Sequence, residues 1–395
     1  MSHLVHGMGT ETVAPDWPAI TLAEADALLR RYPRLGAAGR LVWRSPRPLS
    51  AASVVETARG DQVFVKRHHV SVRTVTGLLE EHRFLAYLAS RGAPVVTVLS
   101  DAEGASVVAD GDWTYEVHTV GRGRDLYRDA ISWSPFTGLG HARSAGRALA
   151  ELHEAARGYD APPRVPQPLV AGFHVFGADD PFAALEAYAS ARPHVAAELA
   201  RRPWRTDFER WHLPFHARLR PHLAGLEPLW THNDLHASNL LWKRGAVATV
   251  IDFGLTDRAF AVHDLAVAIE RNAVEWLKLD APGSGSADSS NTDSADTDSS
   301  NTDSEDALHT DAALALIEGY EEVRKLADAE RAALPDLLAL CHADYALSEI
   351  DYFRGVTGSA PNTELAYRYL VDHTAWFAGP AGARFLDRLR AALTA

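Results

Sequence analysis

Thr231-His232-Asn233-Asp234-Leu235-His236-Ala237-Ser238-Asn239, followed thirteen residues after Asn239 by Asp252 in Ile251-Asp252-Phe253-Gly254, is the stretch on which the reading of this chain turns. Between the two motifs lie the apolar runs Leu240-Leu241-Trp242 and Val247 to Ile251, flanking the turn Lys243-Arg244-Gly245. That pattern predicts a β-hairpin. A hairpin brings the chain back to where it began, so Asp234, Asn239 and Asp252 are expected at one mouth. Such a set suits phosphoryl transfer: one carboxylate orients the attacking hydroxyl and accepts its proton, while an amide oxygen and a second carboxylate hold magnesium against the phosphates. Mg²⁺ prefers a few hard oxygen ligands and keeps some of its waters, so one Asn and one Asp are enough.

Upstream, Leu22, Ala25, Leu28 and Leu29 fall near helical spacing and predict a short amphipathic helix that Pro33 ends. From Leu41 to Val65 short runs such as Val63-Phe64-Val65, separated by Pro46, Pro48 and Arg59-Gly60-Asp61, predict an antiparallel meander. Gly77 to Arg91 returns to helical period. Pro94 to Val96 and Ala105 to Val108 read as further strands, and Asp112 to Val120 completes the small sheet. Beyond Gly121 the chain is mainly helical, around His141 to His153, Ala183 to Ala200 and Arg205 to Leu223. The expected organisation is a frayed tail over 1–20, a small lobe over 21–120 and a larger helical lobe over 121–395. With 395 residues there is room for both lobes and a cleft between them.

Residues 281–306 consist almost entirely of Ser, Thr, Asn, Asp, Gly and Ala, with Asp-Ser-Ser-Asn-Thr-Asp-Ser occurring twice. Nothing there can bury a face, so the segment reads as a disordered surface insert; no EF-hand register of glycine and glutamate is present. Its seven acids supply about half of the net charge of −13, so the remainder is mildly acidic. An acidic chain lacks the Lys/Arg excess that gripping nucleic acid or anionic lipid requires, and a cationic substrate suits it better. The single cysteine, Cys341, permits no internal disulfide. No run reaches the length of a membrane span, and the chain reads as cytoplasmic.

His-x-Asp-x-His-x-x-Asn with a later Ile-Asp-Phe-Gly resembles the aminoglycoside phosphotransferase superfamily, which also contains homoserine kinase of the kinase-fold type, choline kinase, methylthioribose kinase and stress-response kinase A. The resemblance implies an α+β, bilobal protein-kinase-like fold using ATP and Mg²⁺. It implies Asp234 as catalytic base, Asn239 and Asp252 as metal ligands, and His232 and His236 as braces of the loop. Lys66, at the end of Val63-Phe64-Val65, matches the strand lysine that binds nucleotide phosphates, and Glu81, with Glu80 as alternative, its helix glutamate partner. Tyr115 to Thr119 look like the interlobe hinge that bonds adenine, which puts Glu116 and His118 among the nucleotide-binding positions. Asp264, in His263-Asp264-Leu265-Ala266, resembles the aspartate that buttresses the catalytic loop. One departure stands out: the turn Ser45 to Ser53 has no glycine, unlike the Gly-rich phosphate loop of protein kinases, and Ser50 or Ser53 is the candidate substitute.

Several residues have plainer readings. His232 and His236 lack a third ligand at metal spacing, which argues against zinc there. His68 and His69 read as solvated strand-end residues, and Asp344, Glu349 and Asp351 as a water-facing helix face. The function that follows is phosphorylation of a hydroxyl on a small molecule, such as an aminoglycoside-like antibiotic or an amino alcohol. The alternatives are a Ser/Thr protein kinase resembling stress-response kinase A and a nucleotide-binding pseudokinase. The sequence leaves the oligomeric state open.

Overall fold

A computed structural model describes residues 4–279 and 307–394 of the chain. The insert expected over 281–306 lies outside the described residues. Among the described residues no helix is long and apolar enough to cross a membrane.

The chain opens with a small hairpin, β1 (Val5–His6) and β2 (Thr12–Val13). The frayed tail expected over the first twenty residues is therefore not what residues 4–20 form. Trp17 stacks on His69 at 4.9 Å and donates its indole N–H to the Tyr352 hydroxyl at 3.1 Å, while that hydroxyl donates to Asp16 at 2.7 Å. A large ring with a hydrogen-bonding edge, next to an acid, ties this segment down as a strap from the small lobe to the large one.

Helix α1 (Leu22–Leu29) follows, started by a reciprocal cap: Glu24 N–H donates to Thr21 Oγ1 and Thr21 N–H to the Glu24 carboxylate. Strands β3 (Ala38–Arg44), β4 (Ala51–Thr57), β5 (Gln62–His69), β6 (Val108–Asp110) and β7 (Trp113–Thr119) form one antiparallel sheet in the order β3-β4-β5-β7-β6. The period of two divides β5 between faces. Val63 and Val65 join Ala25, Leu28, Leu29 and Val117 in a core under α1. Phe64, Lys66 and His68 point the other way, towards α2 (Val75–Ser90), which Thr74 caps through the Gly77 N–H. Phe84 of α2 packs against Tyr159, Trp230 and Phe253, so α2 belongs to the core of the large lobe as much as to the sheet. The strand expected at Pro94 to Val96 makes only a single bridge, Val95 to Val250. Its backbone is turned to the other lobe, with Val250 N–H donating to Pro94 O at 2.7 Å.

The large lobe begins with α3 (Leu139–Ala156), α4 (Pro181–Ser190) and α5 (Pro193–Leu199). The helical run expected from Arg205 to Leu223 is broken into α6 (Trp204–Asp207), a π-helical turn at Phe208–His212 and α7 (Leu213–Leu219). Pro214 and Pro221 lack the N–H that a continuous helix needs. Strands β8 (Pro228–Thr231), β9 (Leu240–Lys243), β10 (Ala246–Val250) and β11 (Asp257–Phe260) follow, with β9 and β10 forming the expected hairpin. Its turn places Arg244 at φ 55° and Gly245 at φ 79°, the left-handed pair that matches strand twist. Helix α8 (Ala261–Ala273) is buried along its whole length. After α9 (Trp276–Leu279) come α10 (Thr310–Glu321), α11 (Asp328–Leu340), α12 (Ala343–Tyr352), α13 (Ala360–Ala378) and α14 (Pro380–Thr394). Helices α3 and α10 touch backbone to backbone: a Cβ on Gly146 would meet the Leu316 carbonyl, and one on Gly319 the Arg143 carbonyl, each at 1.9 Å. Glycine at these two positions is what allows the approach.

Candidate active site

The loop between β8 and β9 is held by a residue on α8. Asp264 accepts the N–H groups of His232 and Asn233, each at 2.8 Å, and pairs with His153 Nε2 at 3.0 Å. His153 in turn bonds the Tyr320 hydroxyl at 2.7 Å. Burial acts to raise the Asp264 pKa, but the His153 bond and its charge outweigh it and hold the carboxyl below its ordinary range. Asn233 sits at φ 61°, with its amide bonded to Thr231 Oγ1 and the Ala171 carbonyl. Replacing Asp264 by Ala would leave two backbone donors and His153 without their buried acceptor, so Asp264→Ala should lower folding stability by about 3 kcal/mol or more. Urea unfolding against the parent checks this, and a change within 1 kcal/mol, roughly the net worth of one neutral hydrogen bond, would deny Asp264 its buttressing place.

His232 ties the two motifs together. Its Nδ1 accepts the Asp234 N–H at 3.1 Å and its Nε2 donates to the Ile251 carbonyl at 3.0 Å, while its ring rests on Phe253 at 4.6 Å. The hairpin closes as Ile251 N–H donates to the Asn239 carbonyl at 3.0 Å. As the spacing implied, Asp234, Asn239 and Asp252 line one cleft, together with Lys66. Asn239 Nδ2 donates to the Asp234 carbonyl at 2.9 Å and its carboxylate at 3.2 Å, which turns Asn239 Oδ1 away from Asp234. Asp252 stands at φ 61°, a conformation rare outside glycine and concentrated at functional loops, and Lys66 Nζ donates to its Oδ1 at 2.9 Å. Desolvation works to raise the Asp252 pKa; the adjacent ammonium prevails and holds it well below the carboxylate range. Lys66 is raised correspondingly: burial disfavours its charge, but Asp252, Glu116 and Glu81 more than offset that.

Asp234 is the opposite case. Burial pushes its pKa up to about 6, against the pull of Arg271. Arg271 Nε lies 3.4 Å from one carboxylate oxygen and His236 Nε2 3.7 Å from the other. Burial, Arg47 and Arg271 hold the His236 pKa well below its usual value, so the imidazole is neutral. A carboxylate ionised at neutral pH, yet basic for its kind, suits a proton acceptor.

The structure departs from expectation at the nucleotide positions. Glu81 is buried but faces Arg164 at 3.8 Å, and Glu80 lies at the same distance from that guanidinium; the hydrogen bond of Lys66 goes to Asp252. The reason is Arg164, which enters beneath α2, donates to the Gly77 and Gly254 carbonyls at 2.8 and 3.1 Å, and takes up the glutamate side of the helix. Glu116 and His118 lie mid-strand and their side chains bond each other at 2.9 Å. The ladder consumes the β7 backbone on both sides, since Leu99 N–H donates to the Val117 carbonyl and Thr119 N–H to the Thr97 carbonyl. Of the two serines proposed for the glycine-free turn, Ser50 lines the cleft, while Ser53 is buried in β4. Asp344, Glu349 and Asp351 are buried, not water-facing, and Glu349 lines the cleft.

Sequence reasoning missed two arginines. Arg47, in the Ser45 to Ser53 turn, reaches across to Ser132 Oγ and Ser238 Oγ, each at 3.3 Å. Arg271 stands two helical turns past Asp264 on α8, its guanidinium 4.3 Å over Tyr345. The available signal was a charged pair, Glu270-Arg271, inside a helix otherwise apolar enough to be buried.

A model described as APH, phosphotransferase enzyme family, matches residues 47–287. The chain belongs to this phosphotransferase family. A homoserine kinase of Phenylobacterium zucineum (strain HLK1) is 30% identical over 199 residues, covering 50% of this chain and 48% of that protein. A homoserine kinase of Methylobacterium radiotolerans is 34% identical over 211 residues, covering 51% and 48%. The chain spans about half the length of these curated relatives. Among solved structures, amicoumacin kinase hAmiN in complex with AMP-PNP, Ca²⁺ and Ami superimposes with a TM-score of 0.54 at 17% identity, covering 90% of this chain and 94% of that one. At that identity the likeness is one of fold: this phosphotransferase-family chain has the bilobal, α+β kinase-like architecture.

Proposed function

We propose that the cleft transfers the γ-phosphoryl group of ATP, bound with Mg²⁺, to a hydroxyl of a small molecule. The observation that carries this is the convergence of Asp234, Asn239, Asp252 and Lys66 on one cleft of about 510 Å³, a volume suited to small ligands. The donor set fits Mg²⁺: the Asp252 carboxylate and Asn239 Oδ1 are hard oxygens on adjoining loops. When bound, the ion would neutralise phosphate charge. Lys66 would bind the phosphates on the small-lobe side, with Arg47 added from the glycine-free turn. Asp234 would hold the acceptor hydroxyl and take its proton, and Arg271 would keep that carboxylate placed and ionised. Catalysis would then consist of positioning and charge compensation.

The acceptor side favours an amine-bearing hydroxyl compound. Glu349, Asp16 and Glu11 line the cleft with Arg271, so the strap that carries Asp16 and Glu11 forms part of its wall. This favours a small acceptor over a protein Ser/Thr. ATP-dependent phosphorylation should be assayed over homoserine, amino alcohols, aminoglycosides and a generic protein substrate. Turnover confined to the protein substrate would overturn the reading. On the acceptor found, Glu349→Gln should raise KM about tenfold with a smaller effect on kcat, the signature of lost ground-state binding.

The acid limb of the rate follows from Asp234. It accepts a proton only when ionised, so kcat/KM should fall below about pH 6, losing close to tenfold per pH unit. Arg271 stabilises the ionised form, so Arg271→Met should move this limb to higher pH. A wild-type rate flat from pH 7 to pH 5 would contradict the assignment.

A further inference from the structure

The small lobe contains a second constellation that the phosphoryl-transfer reading leaves unused. Lys66 pairs with Glu116 and Phe64 with His118 in the β5–β7 ladder, so His68, Glu116 and His118 project from the same face of the sheet. Helix α2 lies on that face and supplies His82. The three imidazoles converge on one carboxylate: His68 Nε2 is 3.1 Å from Glu116 Oε1, and His82 and His118 Nε2 are 2.8 and 2.9 Å from Oε2. All four side chains are buried. Ligand atoms of His82, Glu116 and His118 lie within 4.8 Å of one another.

We propose that His82, His118 and Glu116 form a buried site for a borderline-soft divalent cation, Zn²⁺ above all, with His68 held on the other carboxylate oxygen of Glu116 as an outer partner. Zinc takes two imidazole nitrogens and a carboxylate oxygen in a tetrahedron whose fourth position a water can fill, and bonds of about 2.0–2.1 Å set such donors roughly 3.3 Å apart. The His82 and His118 separations of 2.8 and 2.9 Å from Glu116 Oε2 need to open by about half an ångström to admit it, and the two nitrogens lie within 4.8 Å of each other. His82 carries the outer bond expected of a metal-bound imidazole, its Nδ1 lying 2.9 Å from Ser106 Oγ. Neutral nitrogen donors favour Zn²⁺ over Mg²⁺ or Ca²⁺, so the site is chemically distinct from the oxygen set Asn239 and Asp252. The plainer account is three imidazoles hydrogen-bonded to one buried carboxylate. It satisfies the contacts but gives no reason for gathering three histidines from three segments into the core of a small lobe. A cation would cross-link α2 to β7, the strand paired with the one that carries Lys66.

The test uses untagged full-length protein, freed of metal and returned to buffer with millimolar Mg²⁺, which occupies the cleft. Zn²⁺ should then bind at one equivalent, survive gel filtration and raise Tm by several degrees. Co²⁺ in its place should give the intense visible bands of a tetrahedral nitrogen–oxygen site. Asp252→Asn should keep this metal, and the double variant His82→Asn/His118→Asn should lose it. The cobalt spectrum of the wild-type protein needs no variant, so poor folding of the double variant leaves the test intact. Absence of stoichiometric Zn²⁺ with an octahedral Co²⁺ spectrum would overturn the proposal, as would full retention of zinc by a folded double variant.

Discussion

Asp234→Asn should reduce phosphoryl transfer by about 10²–10⁴-fold while leaving nucleotide affinity within a small factor of wild type. The amide keeps the volume and one acceptor oxygen but cannot take a proton. Asn239 donates to the Asp234 main-chain carbonyl as well as to the carboxylate, so the loop retains a restraint when the charge is gone. His232 and Asp264 hold the same loop through its backbone. The variant therefore separates chemistry from folding, and kcat with a nucleotide titration reads each. Wild-type kcat would remove Asp234 from the mechanism.

Asp252→Asn should act on binding as well as on rate. In the structure Asp252 is the hydrogen-bond partner of Lys66, and in the proposed complex it trades part of that role for a metal ion. Without its charge the Mg²⁺-dependent part of nucleotide affinity should disappear, and kcat/KM should fall by about 10²–10³-fold. Measuring ATP affinity with and without Mg²⁺ distinguishes this from a folding defect. A variant whose Mg²⁺ dependence is unchanged would place the metal elsewhere.

Much of this site was legible because its information is local. The spacing between Asn239 and Asp252 is a hairpin length, and the strand periods around Lys66 and the helix period around Leu78 to Leu88 are set by short-range patterning. Hence the two lobes and the convergence of Asp234, Asn239 and Asp252 could be read before any contact was known. What escaped was information carried by distant partners. Arg164 diverts Glu81, and no spacing in the sequence reports a guanidinium arriving from 83 residues further on. Arg271 looks like one of several polar residues in a buried helix until Asp234 is placed beside it. His68 at a strand end suggests water, and only its ladder partner and α2 put it in the core. The strap at Trp17 was hidden for the same reason, since its anchor, Tyr352, lies 335 residues on. Helix breaks at Pro214 and Pro221 were local signals that the apolar periodicity overrode.

The strap yields a smaller expectation. Trp17→Ala removes both the stack on His69 and the bond to Tyr352, and should raise the acceptor KM several-fold with little change for ATP. Equal changes in both constants would mark a general loss of lobe closure instead.

The most direct test of the account is ³¹P NMR of ATP and Mg²⁺ with the purified protein and the panel of small hydroxyl compounds, run beside Asp234→Asn. The account predicts a phosphomonoester resonance on one small molecule, growing as ATP becomes ADP and absent from the variant. ATP turnover that is equal in the two proteins, or a phosphoryl group delivered only to polypeptide, would contradict it.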